Sequence, residues 1–183
     1  MKVYFVGAHS TGKTTLARYV SKKYSIPMIT EVARMVLSEG ESNLDSLRYD
    51  MDAIDKYQTD VFKRQLIEES KYPNFVSDRS FDNLAYAAQH TRIFPKLLAS
   101  PEVSQYSSGL KAPGVFVFFV RPSRATLKAD GVREAINWDG IVAIDAMIKF
   151  MLGMWEIKYY QIPVENMQER IHMVDNVLSL HKP

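Results

Sequence analysis

One stretch constrains this chain more than any other: Gly7-Ala8-His9-Ser10-Thr11-Gly12-Lys13-Thr14, set directly after the apolar run Val3-Tyr4-Phe5-Val6. The run is β-branched and aromatic, which suits a buried parallel strand. Lys13 to Tyr24 then continues as a helix with Leu16, Val20 and Tyr24 on one face. A glycine-rich turn between strand and helix can curl its main-chain N–H groups inward around an anion, because Gly7 and Gly12 reach backbone conformations that other residues avoid. The helix adds unpaired N–H groups and the positive end of its dipole. Lys13 brings a charge that reaches β- and γ-phosphates, and the Thr14 hydroxyl is of the type that ligates Mg²⁺. The expected ligands are ATP and Mg²⁺, with Gly7, His9, Ser10, Thr11, Gly12, Lys13, Thr14 and Thr15 as the binding set.

The rest of the chain repeats the alternation of strand and helix. Strands are expected at Ile26–Ile29, Asn74–Ser77, Gly114–Val120 and Tyr159–Ile162, with helices at Lys13–Tyr24, Asp50–Tyr72, Asp139–Ile157 and Val164–Leu180. Thr30 reads as the N-cap of a further helix through Glu31 and Val36, and Ser80 or Asp82 as the start of another. The 40–48 stretch reads as a polar loop, and the pattern from Thr91 to Ala112 is irregular. Such alternation implies an α/β domain built on a parallel sheet, and 183 residues are enough for one such domain over 1–183. The absence of cysteine excludes disulfides, a cysteine nucleophile and thiolate-held metals. A net charge of +2 gives no strong push toward nucleic acid. No run approaches a membrane span and the N-terminal apolar run is too short for a signal peptide, so the expected location is cytoplasmic.

A phosphate loop alone does not separate a kinase from a switch or a motor. The next constellation is Asp78-Arg79-Ser80, at the carboxyl end of the third expected strand, where ligands of open parallel sheets sit. An Asp there can act on Mg²⁺ or accept the proton of an attacking hydroxyl; it can also simply cap the following helix. Glu31 and Arg34 lie three residues apart on one helical face, either as an exposed ion pair or as a grip on an acceptor's hydroxyls and anionic groups. Arg121, Arg124, Lys128 and Arg133 surround Asp130-Gly131 in a charged connector over 121–137. The connector is either a solvated basic loop or a lid whose arginines, Arg133 first among them, neutralise charge on a transferring phosphoryl group.

Taken in order and spacing, Gly7–Thr15, Glu31-Val32-Ala33-Arg34, Asp78-Arg79-Ser80 and Asp130-Gly131-Val132-Arg133 resemble a family of small P-loop kinases. It includes the ribosylnicotinamide kinase domain of the bacterial NAD regulator and many phage nucleotide kinases. The resemblance implies a P-loop NTPase fold with a five-stranded parallel sheet flanked by helices and a short basic lid. It also implies ATP as donor, Glu31 and Asp78 near the acceptor hydroxyl and Arg133 in the lid; with Lys13 these make the expected catalytic set, and Thr14 and Asp78 are the expected metal ligands. The ribosylnicotinamide enzymes carry an aromatic residue just before the Glu; Thr30 stands there in this chain.

The expected acceptor is a nucleoside or nucleotide-like molecule, contacted by Glu31, Arg34, Gln58 and Arg79. Tyr57, Gln58, Phe62 and Gln65 on the long helix offer aromatic faces and amides to a base, although aromatics at helical spacing also serve as plain core. Some phage members phosphorylate hydroxymethylated pyrimidines within DNA. That alternative needs a flipped base and a basic track, to which Lys63, Arg64, Lys96, Lys111, Arg121 and Arg124 are candidates; the location would then be the host cytoplasm. The third reading, an ATPase or switch without an acceptor, needs a residue that orients water, and no clear candidate for it stands in the sequence.

Overall fold

The computed structural model describes residues 1–30, 32–39, 50–124 and 138–180. In chain order these form β1 (Lys2–Val6), α1 (Lys13–Tyr24), β2 (Met28–Ile29), α2 (Val32–Glu39), α3 (Met51–Ser70), β3 (Phe75–Ser77), α4 (Asp82–His90) and α5 (Phe94–Leu98). They continue with α6 (Pro101–Gly109), β4 (Val115–Val120), α7 (Trp138–Met154), β5 (Tyr160–Ile162) and α8 (Met167–Ser179). The five strands make one sheet in the order β2-β3-β1-β4-β5, and every neighbouring pair is parallel.

Each strand divides its side chains between two cores, as the two-residue period of a strand demands. Tyr4, Val6, Phe75, Val117 and Phe119 face a core shared with α2 to α7. Val3, Phe5, Val76, Phe116, Phe118 and Val120 face the other, closed by Leu16, Ala17 and Val20 of α1 and by Val174 and Leu178 of α8. Burial on both faces explains why β1 and β4 read as continuous apolar runs. With all strands parallel, the chain after β1, β2, β3 and β4 emerges at one edge of the sheet. That edge receives the glycine-rich loop, Thr30, Asp78 and Arg121 together.

The stretch from 91 to 112 folds as α5 and α6. Its start signal is local: the Ser100 hydroxyl accepts from the N–H of Val103 at 3.3 Å, and Pro101 occupies the first helical turn. Its periodicity is weak because α6 buries only Val103 and Ser107. The helix α7 stops at Met154 rather than Ile157, closed by Glu156 in the left-handed region (φ 53) and a hydrogen bond from the Ile157 N–H to the Leu152 carbonyl at 2.9 Å. The strand β2 is shorter than the apolar run that announced it. Among the described residues no helix is long and apolar enough to cross a membrane.

Candidate functional site

The glycine-rich loop leaves β1 at Gly7, whose φ is 152°. A Cβ there would lie 2.4 Å from the Val120 carbonyl oxygen, so the loop passes β4 only because residue 7 has no side chain. Ser10 and Gly12 both adopt positive φ, 58° and 87°, and Gly12 leads directly into α1. Lys13 lies folded over the loop, its Nζ donating to the carbonyls of Gly7 (2.8 Å) and Ala8 (2.7 Å), while the Thr11 hydroxyl donates to Ala8 at 2.9 Å. The His9 N–H donates to the Tyr86 hydroxyl at 3.1 Å, and His9 Nδ1 pairs with the same hydroxyl at 2.5 Å. Thr15 faces outward, on the exposed side of α1.

Asp78 is brought to this loop by the end of β3. Its Oδ2 accepts the hydroxyls of Thr14 at 2.6 Å and Thr30 at 2.9 Å. Its Oδ1 is buried and has no hydrogen-bond partner. Thr30 therefore turns its hydroxyl to Asp78, a role that its expected N-cap position did not announce. The set of hydroxyl and carboxylate oxygens fits a hard cation such as Mg²⁺, which takes few protein ligands and completes its shell with water and phosphate. No larger metal-binding cluster of His, Asp or Glu occurs among the described residues.

A second carboxylate lies under the loop. Asp82, in the first turn of α4, is 1% exposed and accepts the Gly7 N–H on Oδ2 at 3.3 Å, while its Oδ1 has no partner. Burial pushes its pKa up to about 6, against the opposing pull of Lys13, Arg79 and the Gly7 N–H. Beside it, Asn83 Nδ2 donates to the Gln58 main-chain carbonyl at 2.9 Å and its Oδ1 is again buried without a partner. Arg79 is half-buried between this group and Tyr57, whose hydroxyl is raised in pKa by burial, with the Arg79 charge working against the rise. Tyr57 donates to the Ala33 carbonyl at 3.3 Å and so ties α3 to α2. Gln58 thus meets this group through its main-chain carbonyl, and Arg79 through its charge.

Other expected residues are spent elsewhere. Phe62 is core, 2% exposed. Gln65 is buried and donates to Glu69 (2.8 Å) and Ser77 (3.1 Å), so its amide does not face an acceptor. Arg64 pairs with Glu68, and Arg121 with Asp145 at 2.8 Å. Arg124 stacks over Trp138. Glu31, Asp130, Arg133, most of the 121–137 connector and the Arg34 side chain lie outside the described residues. A cavity of about 410 Å³ does open between Lys2, Tyr4, Glu69, Gln105 and Tyr106, but at the amino end of β1, away from the loop.

Asp82, Asn83, Tyr86 and Arg170 were not singled out by sequence reasoning as site residues. For Arg170 a signal existed: it shares the apolar i, i+4, i+8 stripe of α8 with Val174 and Leu178, where an arginine is out of place.

The comparisons agree with this fold. The family model described as an AAA domain matches residues 2–170. No curated protein matches significantly. Among solved structures, deoxyadenosine kinase from M. mycoides with bound dCTP superposes with a TM-score of 0.71 at 13% identity, covering 98% of this chain and 100% of that one. The NadR protein in complex with NR gives 0.70 at 18% identity, covering 96% of this chain and 50% of that one. Shikimate kinase from Acinetobacter baumannii in complex with shikimate gives 0.60 at 12%, covering 100% and 95%. At these identities the likeness is one of fold, the α/β fold of P-loop kinases.

Proposed function

The chain belongs to the AAA-domain family, and from that premise we propose that it is an ATP-dependent phosphotransferase that moves the γ-phosphoryl group to a hydroxyl of a nucleoside or nucleotide-like acceptor. One observation carries the reading: Asp78 is bonded to Thr14 of the loop through one oxygen and keeps the other buried and unpartnered. An ATPase needs a poised water; a kinase needs a base beside the phosphate loop, and Asp78 is that base.

In the reaction the acceptor oxygen forms the new bond to phosphorus, the bond to the β-phosphate oxygen breaks, and the acceptor proton passes to Asp78. Lys13 leaves the Gly7 and Ala8 carbonyls for the β- and γ-phosphates and neutralises the charge that develops there. Thr14 and Asp78 would hold Mg²⁺, which would supply further neutralisation of the charge that develops on the phosphates. Gln58, Arg79, Glu31 and Arg34 are assigned to the acceptor, and Arg133 to the charge on the transferring phosphoryl group. Arg133→Ala is then expected to lower kcat more than it weakens ATP binding; a pure affinity loss removes Arg133 from that role.

The DNA-base reading is weaker, since Arg64 and Arg121 of its basic track are engaged with Glu68 and Asp145. Incubation with γ-labelled ATP and a panel of nucleosides, monophosphates, ribosylnicotinamide, shikimate and hydroxymethylpyrimidine DNA separates the possibilities. Label on a free nucleoside or nucleotide is the expected result. Label on DNA alone selects the other acceptor, and phosphate release without any labelled acceptor overturns the kinase reading.

A further inference from the structure

Arg170 is the largest fully buried side chain among the described residues, at 0% exposure. It stands in the second turn of α8, far along the chain from the loop it touches. Its Nε donates to the Val164 carbonyl at 2.6 Å and its Nη1 donates to the Thr11 carbonyl. Its Nη2 is buried with no partner. Among the described residues no carboxylate is bonded to it; Glu165, the acid that acts on its charge from nearby, accepts the Ser123 hydroxyl. A guanidinium buried on main-chain carbonyls alone is a costly arrangement unless an anion compensates it.

The bond to Thr11 has a consequence set by covalent geometry. A trans peptide is planar, with its C=O and N–H directed oppositely. Holding the Thr11 carbonyl toward Arg170 therefore turns the Gly12 N–H the other way, away from α8. The glycine permits this: its φ is 87°, and a Cβ at residue 12 would lie 3.0 Å from Met167 Cε and 3.4 Å from Arg170 Nη1. A cation on the carbonyl also polarises the peptide and makes its N–H a better donor.

We propose that Arg170 is the positioning residue of the phosphate loop. It fixes the Thr11–Gly12 peptide so that its N–H serves the triphosphate, and it sets beneath the loop a charge that the bound nucleotide compensates. The inference rests on the loop taking a triphosphate and not on which acceptor follows.

Arg170→Lys keeps the charge without the two-carbonyl fork, and Arg170→Gln removes the charge. Calorimetry with a non-hydrolysable ATP analogue is expected to show roughly tenfold or greater loss of affinity in both, larger for Gln. KM for ATP should rise with it, while affinity for the acceptor stays as in the unaltered protein. Val174→Ala, on the same stripe, is expected to lower Tm and leave nucleotide affinity unchanged. Folded Arg170 variants with unaltered affinity overturn the proposal. Should neither variant fold, the unaltered protein still decides it: the nitrogen-15 resonances of the Arg170 guanidinium should shift when the analogue binds, and resonances that do not move overturn it. Protein that binds ATP but labels no acceptor refutes the kinase reading and leaves Arg170 in place; protein that binds no triphosphate refutes both.

Discussion

Asp78 and Glu69 are both buried carboxylates, 5% and 7% exposed, yet they live in opposite circumstances. Glu69 accepts from Tyr4 (2.5 Å), Gln65 (2.8 Å) and Tyr106 (2.7 Å), and the Tyr106 hydroxyl in turn pairs with Ser80 at 2.8 Å. Both of its oxygens are used, and the network ties α3 and α6 to β1 and β3. Asp78 shares one oxygen between two hydroxyls and leaves the other empty-handed, with Asp82 Oδ1, Asn83 Oδ1 and Arg170 Nη2 unpartnered nearby or beneath the loop. Buried polar groups are ordinarily satisfied, and a satisfied network holds a fold while an unsatisfied one waits for something. In the proposed reaction the two carboxylates divide as scaffold and site.

The contrast can be broken most forcibly at the loop. Lys13→Ala is expected to reduce phosphoryl transfer about 10³-fold or more, because the amine that lies on the Gly7 and Ala8 carbonyls in the free protein is no longer there to neutralise the phosphates. Near-normal turnover in a γ-phosphate assay would sink the proposed mechanism.

Asp82 sharpens the comparison through pH. Its carboxyl has a pKa of about 6 in the fold and 3.8 when unperturbed, so between these values the folded chain keeps a proton that the unfolded chain has lost. Stability of the nucleotide-free protein therefore falls as pH rises through that window and levels off above it. Relative to the native protein, Asp82→Asn should gain up to about 3 kcal/mol from pH 4 to pH 7. Urea unfolding across that range measures it, and parallel curves for the two proteins would show that Asp82 does not carry the raised pKa.

Tyr4→Phe has the smallest expected effect. It removes one of three donors from Glu69 and should cost about 1–2 kcal/mol, a Tm drop of roughly 2–8 °C, with transfer per folded molecule unchanged. A loss of activity without loss of stability would mean that the network reaches the chemistry through Ser80.

Much of this was legible in the residues. The loop, its strand and its helix are written in consecutive residues, and Asp78 announces itself by ending a strand. The two-faced burial of β1 and β4 is plain in their unbroken apolar runs. What stayed hidden depends on distance along the chain. Thr30 looked like a helix cap because its link to Asp78 needs β2 beside β3. Gln65 looked like a base reader because nothing local shows Glu69 and Ser77 closing on its amide. Arg170 needed the contact between α8 and the loop to acquire a purpose.

The most direct test sets the two carboxylates side by side, with Asp78→Asn and Glu69→Gln compared for γ-phosphate transfer, ATP affinity and Tm. Asp78→Asn is expected to bind ATP and keep its Tm while losing transfer by about 10²–10⁴-fold. Glu69→Gln is expected to lose about 1–3 kcal/mol of stability and keep its turnover per folded molecule. Undiminished transfer by folded Asp78→Asn would contradict the assignment of Asp78 as the base on which the proposed reaction depends.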